Sequence, residues 1–162
     1  MKLSPRLRWI WLSLAIVFFD RLTKAWIETQ TTDSWRHEVI HNFIYLVHSK
    51  NPGIAFSLFA GSASPVLRIL LIVGAVAIIA VIAWLLVGGR NLSTLNAAGL
   101  ALLLGGATGN VTDRIIHGGV TDFLEVFLGS YRWPAFNVAD SAITIGAIFL
   151  IFDVLFSPQT QR

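Results

Sequence analysis

The sequence predicts an all-α membrane protein of four transmembrane helices, with a small β-element outside the bilayer. Three observations carry this reading. The chain of 162 residues is 55% hydrophobic and only 13% charged, with a mean hydropathy of +0.70, a balance that belongs to integral membrane proteins rather than soluble domains. Residues 69 to 89 and 91 to 112 carry no charge, and each run exceeds the roughly 20 residues a helix needs to cross a hydrocarbon core of about 30 Å. Asp20, Asp113, Asp122 and Asp140 stand at the ends of long apolar runs, where an ionisable group is costly enough to be a functional suspect.

The first span is expected at about residues 7 to 27. The chain starts with the basic head and short apolar stretch of a secretory signal, but Asp20-Arg21-Leu22-Thr23-Lys24 follows in place of a small-residue cleavage site, so the segment reads as a retained helix. Further spans are expected at about 67 to 88, 92 to 113 and 137 to 156, forming one membrane domain over residues 1 to 162. Lys2, Arg6 and Arg8 before the first span, Arg90 between the second and third, and Arg162 after the fourth put both termini in the cytoplasm. Trp9, Trp11, Trp26, Trp84 and Trp133 fall near span ends, as an interfacial aromatic belt requires. Between the first two spans, Val39 to Val47 is rich in β-branched and aromatic residues and leads to the turn signal Asn51-Pro52-Gly53, which predicts a strand or hairpin. Gly118-Gly119 is a stop for the third helix. The aromatic stretch after it, with Phe123, Phe127, Tyr131 and Trp133, is expected to lie along the membrane interface.

At 1.5 Å per residue, Asp20 lies roughly 18 Å from Arg8 and Asp140 roughly 25 Å from Ser157, which puts both in the outer half of the bilayer. Asn110 and Asp113 close the third span on the same side, and Asp122 follows. Asp153 is the only acid expected in the inner half. Asp20 has Lys24 at i+4 and Asp113 is followed by Arg114, cations that suit a supporting role. Asp122 and Asp140 have no Lys or Arg within one helical turn. Facing each other in a partly dry site, they would share a proton. One could then activate water while the other protonates the carbonyl oxygen or leaving amine, which is aspartyl-protease chemistry.

Each feature also has a plainer explanation. Asn137 could cap a helix with Asp140 at its third position, Asp122 could be a solvated loop acid, and Asn51-Pro52-Gly53 an ordinary turn. Gly105 to Gly109 could serve close helix packing. Their convergence on one membrane face favours a site.

Without cysteine the chain has no disulfide, thiolate nucleophile, Cys-ligated zinc or iron–sulfur cluster. A net charge of +3 spread along the sequence gives a nucleic-acid partner no support. His37-Glu38-Val39-Ile40-His41 matches the zinc-protease pattern, which needs a helix to bring both imidazoles together. In the strand expected here the two histidines would stand about 13 Å apart, too far to share one zinc. An ion-coupled transporter would need polar groups through both leaflets and a midplane site, whereas the charge here stops in the outer half. A membrane scaffold with structural ion pairs is the third alternative.

Five motifs in order resemble those of the bacterial lipoprotein signal peptidases, the signal peptidase II family, along essentially the whole chain. They are Asp20-Arg21-Leu22-Thr23-Lys24, Asn51-Pro52-Gly53-Ile54-Ala55-Phe56, Gly105-Gly106-Ala107-Thr108-Gly109-Asn110-Val111-Thr112-Asp113-Arg114, Val120-Thr121-Asp122-Phe123 and Phe136-Asn137-Val138-Ala139-Asp140-Ser141. Ile54, where alanine is common in the family, is a mild departure. The resemblance implies a four-helix membrane aspartyl protease with an outer β-cradle, working without metal or cofactor. Its substrates would be prolipoproteins bearing a diacylglyceryl group on the lipobox cysteine, cut before that residue. By the same implication Asp122 and Asp140 are catalytic. Asn51, Gly53, Asn110, Arg114 and Asn137 would support the site or contact substrate, and Asp20, Lys24 and Asp113 would brace it. A monomer in the bacterial cytoplasmic (inner) membrane, surrounded by lipid and with its site near the outer face, is expected.

Overall fold

A computed structural model describes residues 7–52, 65–89 and 92–156 of the chain. Gly53 and the rest of its motif to Phe56, together with Lys2, Arg6, Arg90 and Arg162, lie outside these residues. The elements run α1 (Leu7–Gln30), β1 (Arg36–Ile40), β2 (Ile44–Asn51), α2 (Pro65–Gly88), α3 (Thr94–Ile116), β3 (Val120–Leu128), β4 (Tyr131–Phe136) and α4 (Val138–Phe156).

Among the described residues, two helices, α2 over Arg68–Gly88 and α4 over Val138–Phe156, are long and apolar enough to cross a membrane by length and composition. Helices α1 and α3 are of similar length, 24 and 23 residues, but they bury polar groups. The buried stripe of α1 is Ser13, Asp20, Lys24 and Ile27, while Trp11, Leu14, Phe18, Phe19, Leu22 and Trp26 face outward. In water this distribution would be inside out. It suits a helix whose outer face meets lipid and whose ionisable groups must find partners within the protein.

Helix α3 packs against α1, α2 and α4, and its small residues let the neighbours approach. A Cβ on Gly99 would come 2.9 Å from the carbonyl oxygen of Gly146, and one on Gly146 would come 2.7 Å from that of Gly99. A Cβ on Gly105 would meet the Ser13 carbonyl at 2.8 Å, and one on Gly109 would meet the Asp20 carboxylate at 2.6 Å. The glycine run therefore does serve close packing, and it also clears space for a carboxylate. Toward the other end of the bundle, Ile82 and Leu86 of α2 meet Ala97, Leu100 and Ala101 of α3 in an apolar cluster. There Ser93 caps α3, its Oγ accepting from the Asn96 N–H at 2.9 Å, and the side chains of Ser93 and Asn96 both donate to Asp153. Asp153 is thus a bracket between α4 and the start of α3.

The four strands form one antiparallel sheet in the order β1-β2-β3-β4, with α2 and α3 inserted between its central strands. The sheet includes the stretch after α3, for which the sequence reading named no strand. That stretch is a β-hairpin completing the sheet begun by the first outer segment, so Asp122 stands on a strand rather than in a loop. Alternation around Asp122 is masked in the sequence because Val120, Thr121 and Asp122 are all buried, leaving no inside-outside pattern to read. Gly118, at φ +79°, ends α3 in the left-handed conformation expected of a glycine stop. In the β2–β3 register Ser49 faces Asp122 and Asn51 faces Val120, beyond an irregularity between Leu46 and Ser49. His37 and Glu38 lie on β1 and His41 in the turn after it, so the zinc-protease spacing is not on a helix.

The Gly99–Gly146 contact leaves no room for a side chain. Gly146→Leu is expected to cost about 1–3 kcal/mol through overpacking, whereas Gly74→Leu, at a position with nothing within 4 Å, should be nearly neutral. Thermal unfolding in detergent measures both.

Candidate active site

The site is built around a buried ammonium. Lys24, one turn after Asp20 on α1, is fully buried and donates to Asp20 Oδ2 at 2.7 Å and to Asn110 Oδ1 at 3.2 Å. It also pairs with Asp113 Oδ2 at 2.7 Å. Two hydrogen bonds and an ion pair thus surround the ammonium, the kind of setting in which a charge can be kept away from water. Asp113 also accepts from Arg21 Nη1 at 3.3 Å. The cations in direct contact with it thus come from α1, while Arg114, the cation expected beside it, acts on it through its charge. Adjacent residues on a helix point about 100° apart. The Arg114 guanidinium donates to the Asn110 carbonyl at 3.1 Å and lies within electrostatic reach of Asp140, Asp122 and Asp113.

The second oxygen of Asp20 accepts from the Ala139 N–H at 2.9 Å, in the first turn of α4. Asn137 caps the same helix, its Oδ1 accepting from the Asp140 N–H at 2.9 Å, while Asp140 Oδ2 accepts in return from the Asn137 N–H at 3.3 Å. This reciprocal pair is a capping box. The plain helix-cap explanation for Asn137 and Asp140 is thus correct as far as it goes, and the site is built on that cap.

Asn137 has one more bond to give. Its Nδ2 donates to Asp122 Oδ1 at 2.7 Å, so one asparagine touches both Asp122 and Asp140. Asn51 Nδ2, from the end of β2, donates to Asp122 Oδ2 at 3.2 Å, and Asn110 Nδ2 donates to Asp140 Oδ1 at 2.8 Å. Every carboxylate oxygen of the two acids meets an N–H group. Asp122 is 4% exposed and Asp140 half-buried. Burial pushes the Asp122 carboxyl up to about 7, and the neighbouring Asp140 charge pushes the same way, against the Asn51 and Asn137 hydrogen bonds and the Lys24 charge.

Asp20, Lys24, Asn51, Asn110, Asp113, Arg114, Asp122, Asn137 and Asp140 are thus joined in one constellation, and Gly53 lies outside the described residues. The rule that Asp122 and Asp140 lack nearby cations holds along the chain but not in space, since Arg114 and Lys24 both act on Asp122. Sequence reasoning missed Arg21, Glu28 and Thr121. Arg21 Nη2 pairs with Glu28 Oε2 at 2.5 Å, and Glu28 Oε1 accepts from Thr121 Oγ1 at 2.7 Å. The i, i+3, i+7 spacing of Arg21, Lys24 and Glu28 puts them on one helix face, a signal that could have been read.

The family profile described as Signal peptidase (SPase) II matches residues 12–156. The lipoprotein signal peptidase of Solibacter usitatus is 42% identical over 159 residues, covering 97% of this chain and 96% of that protein. That of Desulforapulum autotrophicum is 41% identical over 145 residues, covering 90% of each. Among solved structures, a bacterial membrane enzyme determined by the in meso method at 2.3 Å resolution superimposes with a TM-score of 0.84 at 27% identity, covering 96% of this chain and 92% of that one.

The raised Asp122 carboxyl sets a pH dependence of stability. Between about pH 4 and 7 the folded protein holds a proton there that the unfolded chain releases, so stability falls as pH rises through this window and the full cost stands above it. At about 1.4 kcal/mol per unit the cost reaches on the order of 4 kcal/mol. Asp122→Asn is therefore expected to unfold at a higher temperature than the wild type at pH 8, with the difference vanishing below about pH 4.

Proposed function

Since this chain belongs to the signal peptidase II family, the lipoprotein signal peptidases, we propose that it is an aspartic endopeptidase whose acid–base pair is Asp122 and Asp140. Its substrates are diacylglyceryl-modified prolipoproteins, cut on the amino side of the lipidated cysteine. The observation that carries this reading is the pair's setting: two carboxyl groups on different elements, both held by N–H groups of Asn137, one of them nearly dry and half-protonated near neutrality. Two acids in such surroundings can share one proton, and their titration belongs to the pair.

In the reaction, the ionised member takes a proton from a water molecule, whose oxygen attacks the scissile carbonyl carbon. The protonated member gives its proton to the carbonyl oxygen, leaving a tetrahedral gem-diol. The first carboxyl then returns its proton to the amide nitrogen, the C–N bond breaks, and the proton on the gem-diol goes back to the second carboxylate. Asp122, the drier of the two, is the better holder of the shared proton at rest. Arg114 steadies the negative charge of the pair. The asparagines orient both acids without neutralising them.

The wider setting follows from the same reading. All four helices cross the bacterial inner membrane with both termini in the cytoplasm, the sheet lies at the outer face, and the monomer is the working unit. A site at headgroup depth lets the acyl chains of the substrate remain in the bilayer while the scissile bond meets water. Inhibitors carrying a hydroxyl at the tetrahedral centre should bind more tightly than substrate.

Asp122→Asn and Asp140→Asn are each expected to lower cleavage of a diacylated precursor by at least about 10³-fold, with the protein still folded and membrane-inserted. A gel-shift assay on lipidated and unlipidated precursor measures this, and full activity in either variant overturns the pair. Wild-type kcat should fall as pH rises above about 7, when the shared proton is lost.

A further inference from the structure

The helix that carries Lys24 makes a second connection to the site, at its outer end. Arg21 grips Glu28 with both terminal nitrogens, Nη1 to Oε1 at 3.4 Å and Nη2 to Oε2 at 2.5 Å, and reaches Asp113 at 3.3 Å with the same Nη1. Glu28 Oε1 in turn accepts from Thr121 Oγ1 at 2.7 Å. Thr121 is fully buried, and its carbonyl lies 3.5 Å from Asn137 Nδ2, the amide that holds Asp122.

Neighbouring residues on a strand point to opposite faces. A bond that holds the Thr121 side chain toward α1 therefore fixes the rotation of β3 about its own axis and, with it, the direction of Asp122. Neither Glu28 nor Thr121 touches either of the two aspartates through a side-chain bond. Arg21 determines where the Glu28 carboxylate stands, and Glu28 determines how Thr121 is held.

We infer that Glu28, clamped by Arg21, and Thr121 are positioning residues that aim the Asp122 carboxyl group by tethering β3 to α1. The inference rests on the reading of Asp122 as catalytic. It adds a line of control to that of the asparagines, acting from the opposite face of the strand.

The test is steady-state cleavage of a diacylated precursor by the full-length protein in detergent–lipid micelles, with activity expressed per folded molecule and Asp122→Asn as reference. Thr121→Val keeps the shape of the side chain and removes the donor, and Glu28→Ala removes the acceptor. Each is expected to lower kcat by about 10- to 100-fold, as a displacement near 1 Å does, with KM changed by less than about twofold. Thr121→Ser, which keeps the hydroxyl, should recover kcat to within about threefold of wild type. The double variant should be no worse than the weaker single one, because both cut the same tether. A tether that is only structural would lower the unfolding temperature and leave kcat per folded molecule unchanged. That result in Thr121→Val, alongside an inactive Asp122→Asn, overturns the tether alone, and an active Asp122→Asn overturns both readings. Should Glu28→Ala fail to fold, Thr121→Val and Thr121→Ser decide the matter.

Discussion

The structure depends on a single buried ammonium group. Lys24 has no contact with solvent and three polar partners, Asp20 on its own helix and Asn110 and Asp113 on α3. Each partner then reaches further: Asp20 to the backbone of α4, Asn110 to Asp140, Asp113 to Arg21. Removing one partner from such a cluster leaves a buried charge uncompensated, which costs several kcal/mol. The cluster therefore acts as a registration key among α1, α3 and α4. Their relative heights are set by where Lys24 can meet all three partners.

Two kinds of carboxylate surround this key, and they differ in what holds them. Asp20 and Asp113 are held by direct contact with cations. Asp122 and Asp140 are oriented chiefly by neutral amides, those of Asn51, Asn110 and Asn137 and the Asn137 backbone. An amide donor fixes direction with much less effect on charge than an ammonium in contact. Such an environment leaves a carboxyl group free to gain and lose a proton, which acid–base chemistry requires. Asn137 does double duty, capping α4 through its carbonyl and backbone N–H and orienting Asp122 through its amide nitrogen. The capping box of α4 and the candidate site are one structure.

The helices were legible from their apolar runs because each is long and bounded by glycine, proline or charge. The sheet was half legible. Val39 to Val47 announced strands by composition, but β3 did not, since Val120 to Asp122 is buried throughout and Glu125 is fully buried between Arg36 and Arg132. A carboxylate held inside a sheet by two arginines looks in sequence like a solvated loop residue. The Asp20–Lys24 pair was legible in its i+4 spacing, whereas the contacts of Asp113 with Lys24 and Arg21 on another helix were not.

From the sequence alone came the membrane composition, the four apolar stretches, the signal peptidase II motifs, and the proposal of Asp122 and Asp140 among four candidate acids. These are local or additive properties, readable from residue type and spacing along one element. Tertiary structure alone decided that Lys24 serves both α1 and α3, that Arg114 faces the acids rather than only Asp113, that both outer segments share one sheet, and that Glu28 reaches Thr121 across 93 positions. The physical reason is that an ion pair or an amide bond depends on distances of about 3 Å, and nothing in the spacing of remote residues records which of them the packing of helices will bring that close.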